Sequence, residues 1–215
     1  MADRALALVP GVPETALPDD VLERLPARTP PPPWHLPARA LVWWQVGTTP
    51  LAGSAYRDRT LPVTVAALVD YLDSPVGPYR EIFAGTLLRR LGRPAVHVPF
   101  IAVDSLPSLQ AGRAHWSLPK VLAAFSGDLP DRTTVEGDGW SVEVAGRPFG
   151  PSLPAAVPLL SAQGGRLARL TVRGTVRAAR VEVAAAGRTL DAWLGDGRHA
   201  GFVARGRVVI HPALP

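Results

Sequence analysis

From residue 40 onward the apolar residues come in short runs rich in β-branched and aromatic side chains. The runs ALVWWQVG (residues 40–47), LPVTVAALV (61–69) and AVHVPFIAV (95–103) are each bounded by proline or glycine, the mark of strands. TTVEGDGWSVEVAG (133–146) alternates on both sides of Asp138-Gly139, which predicts a hairpin with that dipeptide as its turn. Residues 166–195 and 200–212 continue the strand pattern, with glycines marking its breaks. YREIFAGTLLRRL (79–91) is ambiguous, because Ile82, Phe83, Leu87 and Leu91 approximate a helical stripe while the flanking Pro and Gly suit a strand; it is read as a strand. Residues 1–38 are proline-rich, with four in a row at Pro30 to Pro33. This arm is expected to be mostly extended and packed on the domain, with one helical turn in DDVLERL (19–25).

Many closely spaced strands, few helical stretches and no βαβ alternation predict a β-rich α+β domain over 39–215. Its form is a curved sheet or antiparallel barrel with a central cavity able to hold one small ligand.

Composition narrows the chemistry. A chain of 215 residues, 47% hydrophobic, suits one domain with a substantial core. It holds no run of eighteen apolar residues and no leader-like N-terminus, so a soluble, cytoplasmic protein without membrane contact is expected. The absence of cysteine excludes disulfides, thiolate nucleophiles and Cys-based metal sites. The formal charge of +5 comes from scattered arginines, so no nucleic-acid partner is expected. His35, His97, His199 and His211 show no HExxH or HxH spacing, and no GxSxG or Gly-rich phosphate loop occurs, so no metal and no cofactor is expected.

Of the 23 basic side chains only one, Lys120, is lysine. Arginine keeps its proton in proteins, whereas a buried lysine can become the neutral amine that attacks a ketone. A chain that places arginine at every other cationic position and retains this lysine points to covalent amine chemistry; a solvated surface lysine is the plain alternative.

The context of Lys120 supports the chemical reading. VDSLPSLQAGRAHWSLPKVLA (103–123) resembles the lysine motif of the acetoacetate decarboxylase family: a Gly-Arg pair, an aromatic residue, then Pro-Lys and Leu. GPYREI (77–82) resembles that family's Tyr-x-Glu segment, and PARALVWW (37–44) places Arg39 where the family has an arginine after its N-terminal arm. The resemblance implies a cone-like β-barrel, a homo-oligomer and a Schiff-base lysine facing an internal pocket. It implies a lyase acting on a small β-keto acid, with the lysine iminium as electron sink for decarboxylation. In that reading Lys120 is the nucleophile and Glu81 orients the substrate or handles protons. Arg39 holds the substrate carboxylate or orders a carboxylate in the site. Arg113 is read as pairing with an acidic group near the lysine loop, with a second role of disfavouring the lysine's ammonium form. His115 is a proton-shuttle candidate on a strand or loop, and Trp116 a wall of the pocket or core.

Two departures from the family pattern stand out. The second lysine that follows the first is replaced by Val121, and the residues after Gly112-Arg113 are Ala114 and His115 where Glu is usual. A charge at 121 would act on Lys120 only if both side chains face the same way. Two alternatives therefore stay open: a Schiff-base aldolase-dehydratase acting on pyruvate-like keto acids, and a noncatalytic barrel that binds a small ligand.

Overall fold

A computed structural model describes residues 4–47, 56–89 and 94–214. Arg90 and Leu91, the end of the ambiguous segment, lie outside the described residues, as do residues 1–3 of the arm.

The alternating segments form one curved, mostly antiparallel sheet. In chain order the strands are β1 (Trp34–Val46), β2 (Thr60–Tyr71), β3 (Tyr79–Leu88), β4 (Ala95–Val103), β5 (Lys120–Leu122), β6 (Ala124–Asp128), β7 (Arg132–Gly137), β8 (Trp140–Pro148), β9 (Leu153–Gln163), β10 (Arg166–Ala186) and β11 (Gly197–Leu214). The hydrogen-bonded path runs β11-β1-β2-β3-β4-β9-β10-β8-β7-β6, and β10 also pairs with β11, so seven strands return on themselves. The hairpin expected at Asp138-Gly139 joins β7 to β8, with Gly139 at φ 71°. The ambiguous segment is strand β3, and the helical turn of the arm is α1 (Asp19–Glu23).

Two sequence readings need correction. Gly187, Gly195 and Gly197 do mark the break between β10 and β11, but three other glycines within 166–212 do not break the strands: β10 is continuous through Gly174, and β11 through Gly201 and Gly206. Gly174 and Gly206 are direct partners in the β10–β11 ladder, and a Cβ on either would press on the other's Cα at 2.7 Å. Glycine here permits close approach of two strands; it does not mark a turn. The second correction is a helix, α2 (Leu106–Trp116), in a stretch read as strand or loop. Ser105 caps it by accepting from the Ser108 N–H, and Pro107 sits in its first turn. Ser108, Leu109, Gln110, Ala111, Gly112, Arg113 and Trp116 are all buried, so the helix carries polar residues on its packed faces and shows no apolar stripe to find.

Strand alternation sorts the core into two sides. On β1 Trp34, Leu36 and Ala38 face one cluster with Val69, Tyr71, Tyr79, Leu109 and Trp116. Leu41 and Trp43 face another, with Ile82, Phe100, Val121, Val142 and Val181. The N-terminal segment is tied to this frame by polar contacts. Val12 N–H donates to the Pro99 carbonyl at 3.0 Å, and the Glu14 carboxylate accepts from the Thr189 hydroxyl at 2.8 Å. The sheet begins at Trp34, within the proline-rich stretch.

Candidate active site around the single lysine

Lys120 is the first residue of β5, which adds to β4 in parallel with Ile101 opposite Lys120 and Ala102 opposite Val121. A Pro-Lys step straight after α2 puts the lysine beside the helix that precedes it. Leu118 N–H closes the turn onto the Gly112 carbonyl at 3.0 Å, with Ser117 in the left-handed region at φ 53°. Alternation then sends the Lys120 side chain to the α2 side of the sheet, and Val121 to the opposite cluster.

Glu81 on β3 points to the same side. Lys120 Nζ lies 2.6 Å from Glu81 Oε2 and 3.0 Å from Ser108 Oγ, and both ionisable side chains are almost fully enclosed, at 4% and 6% exposure. The other carboxylate oxygen accepts from the Tyr71 hydroxyl at 3.2 Å. The Tyr79 ring stands 5.2 Å from Nζ, and its centroid is 4.6 Å from that of Tyr71. Burial, and next the Glu81 carboxylate, push both phenols well above the usual tyrosine range. Each is a proton donor throughout the neutral range, and Tyr71 can hand a hydrogen bond to Glu81 in any state of the site.

Arg113 differs from expectation. Its partners are backbone carbonyls: Nε donates to Lys120 at 2.7 Å, Nη1 to Leu6 at 2.6 Å and Nη2 to Thr15 at 2.7 Å. Desolvation lowers its pKa to about 10, which still leaves it charged at neutral pH. Its fork fixes the lysine's backbone and the N-terminal segment to each other.

The structure brings together Lys120 and Glu81 directly, and Arg113 through the lysine's carbonyl. The remaining sequence candidates sit around them. Arg39 pairs with Asp70 at 2.7 Å and with Asp128, and reaches the Leu129 carbonyl at 3.3 Å. It borders a polar cleft of about 350 Å³ whose wall includes Tyr71, Tyr79, Arg80 and Asp104. His115 is on α2, with Nε2 3.2 Å from the Thr29 hydroxyl, which itself donates to Gln110. Trp116 is buried edge-on against Trp34 at 5.1 Å and donates to the His211 carbonyl. Tyr71, Tyr79 and Ser108 were not singled out from the sequence. Tyr79 lies in the quoted GPYREI segment, two residues before Glu81 and hence on the same strand face; Tyr71 is its cross-strand partner. Ser108 required knowledge of α2.

A second hollow lies inside the ring of seven strands. It has a volume of about 350 Å³, and Ala40, Val69, Phe83, Val172 and Ala204 are among its apolar walls. Tyr71 borders both hollows.

A sequence model of the acetoacetate decarboxylase family matches residues 58–193, which include Glu81, Arg113 and Lys120. Among solved structures, the acetoacetate decarboxylase of Legionella pneumophila shares the fold at a TM-score of 0.60 and 14% identity, covering 88% of this chain and 91% of that one. An acetoacetate decarboxylase-like enzyme from Sphingomonas wittichii aligns at 0.58 and 14%, covering 85% and 92%. The enduracididine biosynthesis enzyme MppR, complexed with pyruvate, aligns at 0.56 and 13%, covering 87% and 91%. At such identities the likeness is one of fold. No match was found among curated protein sequences.

Proposed function

Because this chain belongs to the acetoacetate decarboxylase family, we propose that it is a Schiff-base-forming lyase for small keto acids, with Lys120 as nucleophile. The observation that carries the reading is the 2.6 Å contact of an enclosed lysine amine with an enclosed carboxylate. A buried ion pair gains little stability over an apolar replacement, which supports a chemical role for this one.

Glu81 takes a proton from the Lys120 ammonium across their contact, leaving the neutral amine, which adds to the ketone carbon. The resulting carbinolamine loses water, with Glu81 returning the proton to the departing hydroxyl, and a protonated imine forms. For a β-keto acid the bond to the carboxylate then breaks: its electron pair flows into the iminium, carbon dioxide leaves and an enamine remains. Protonation of the enamine at carbon regenerates an iminium, and water hydrolyses it to release the ketone and free Lys120. Tyr71 holds Glu81 in place by its hydrogen bond, and Ser108 fixes Nζ from the helix side. Arg39 and Arg80 line the adjoining cleft, Arg39 paired with Asp70 and Asp128 and Arg80 with Asp104, so a substrate carboxylate entering from that side would exchange with one of these pairs.

A second outcome at the same lysine is aldol condensation followed by dehydration, with the substrate carboxylate retained. The fold likeness to MppR favours it, since structures of that enzyme hold pyruvate and the condensation product of pyruvate with imidazole 4-carboxaldehyde. Carbon dioxide release from β-keto acids, compared with condensation of pyruvate and an aldehyde, separates the two.

Borohydride reduction in the presence of a keto acid is the direct test. One substrate-derived mass is expected on the protein, mapped to Lys120; only the N-terminal amine competes. No adduct with any keto acid well above millimolar concentration overturns the covalent reading.

A further inference from the structure

We infer that the keto acid used by this protein carries an extended apolar chain, which the cavity inside the seven-strand ring accommodates. The inference rests on the Schiff-base reading of Lys120 and adds the substrate class. Side chains from β1, β2, β3, β4, β9, β10 and β11 line the cavity, which lies within the ring and opens to solvent on the side of the exposed Val157. A ring of this size is normally filled by its own side chains. Here the walls that face the hollow carry small side chains at Ala38, Ala40, Ala67, Ala95, Ala155 and Ala204, which leave it unfilled. The room left, about 350 Å³, amounts to about twelve non-hydrogen atoms at the ~30 Å³ a water molecule occupies in the liquid.

Tyr71 stands between the cavity and the chemistry. Tyr71, the partner of Ala38 on β2, lines the cavity while its hydroxyl contacts Glu81, which contacts Lys120 Nζ. Phe83 is the next residue after Glu81 on the same face of β3, and it too lines the cavity. On the other side of Tyr71 lies the polar cleft with Arg39 and Arg80. The two hollows have opposite character and meet at the residue that touches the proton-handling carboxylate. A 3-oxo acid with an alkyl or arylalkyl chain has the same polarity: carboxylate at one end, apolar chain at the other, and the ketone between them.

The test is borohydride trapping on the full chain with 3-oxobutanoate, 3-oxohexanoate, 3-oxooctanoate and 3-oxodecanoate, supplemented by competition with saturated acids. The half-saturating concentration is expected to fall about three- to fourfold per added methylene until the cavity is full. Decanoate should compete with 3-oxobutanoate far better than butanoate does. Ala204→Phe, which fills the cavity, should abolish the gain with chain length, measured against the variant's own trapping of 3-oxobutanoate. The wild-type competition series stands by itself if that variant does not fold. Adducts with 3-oxobutanoate or pyruvate, together with a flat or inverse dependence on chain length, overturn the apolar-chain inference and leave the lysine mechanism standing. No adduct with any of the acids overturns both.

Discussion

Gly112 lies directly against the aliphatic stem of Lys120. A Cβ at 112 would sit 2.7 Å from Lys120 Cε and 2.9 Å from Cγ, well inside contact distance. The Gly-Arg pair of the lysine motif thereby acquires a physical meaning: the glycine makes room for the stem, and Arg113 holds the lysine's carbonyl. Gly112→Ala would drive a Cβ into the stem of an enclosed lysine that Glu81 and Ser108 hold at its end. The helix preference of alanine, about 1 kcal/mol, does not offset that clash, so the melting temperature should fall. Adduct formation at Lys120 in the folded fraction should slow at least about tenfold, because near-attack geometry is lost. Unchanged trapping kinetics in a stable Gly112→Ala protein would show that this contact does not aim the amine.

Glu81→Gln keeps the shape of the side chain and removes its capacity to exchange a proton with Lys120. Turnover, or single-turnover adduct formation, should fall roughly 10²-fold or more, the usual range for a general acid–base group. Tyr71→Phe, which removes only the 3.2 Å hydrogen bond to Glu81, should have the smaller effect and leave chain-length preference intact. Comparable rates for wild type and Glu81→Gln would reduce the carboxylate to a structural partner of Lys120.

Most strands could be read from the chain because β-branched and aromatic runs bounded by Gly and Pro have one consistent meaning on a pleated surface. β3 and the Asp138-Gly139 hairpin are examples. The helix could not, because α2 buries Ser108, Gln110 and Arg113 on the faces where an apolar stripe would be sought. Gly174 and Gly206 were misread as breaks since sequence alone does not separate a glycine that turns the chain from one that lets two strands touch. Lys120 and Glu81 were visible through uniqueness and motif, 39 residues apart, and the structure places them 2.6 Å from each other. Tyr71 carried no local mark: its place depends on the β2–β3 register, which pairs it with Tyr79.

Val121 stands where the family pattern has a second lysine, and its orientation decides what that lysine would do here. The side chain is 7% exposed and packs in the cluster with Phe100, Phe125 and Val142, on the opposite side of the sheet from Lys120. Val121→Lys should therefore place an ammonium in an apolar core and cost at least about 3 kcal/mol, as an uncompensated buried charge does. The pH profile of Lys120-dependent turnover should stay where it is in whatever fraction remains folded. An acid shift of that profile at near-normal stability would mean that the new amine reaches the active-site side.

Burial of His97 predicts that the fold loses stability in mild acid. It is 9% exposed, its Nδ1–H donates to the Ala162 carbonyl at 3.0 Å, and its ring lies 4.9 Å from that of Tyr56. Desolvation holds its pKa below the ordinary value of 6.5, against a smaller opposing effect of the Ala162 and Gln163 hydrogen bonds. Burial thus favours the neutral ring, and below pH 6.5 the unfolded chain binds a proton that the folded chain resists. The stability due to the neutral ring is fully present above about pH 6.5 and is lost as pH falls through that value towards the lower folded pKa. Urea midpoints measured from pH 7.5 down to pH 5.5 should decline, with a slope approaching about 1.4 kcal/mol per pH unit at most for one proton. His97→Gln removes the titrating ring and should be less stable at pH 7.5, yet flatter across the range. If His97→Gln declines as steeply as the wild type, the acid sensitivity arises elsewhere in the fold.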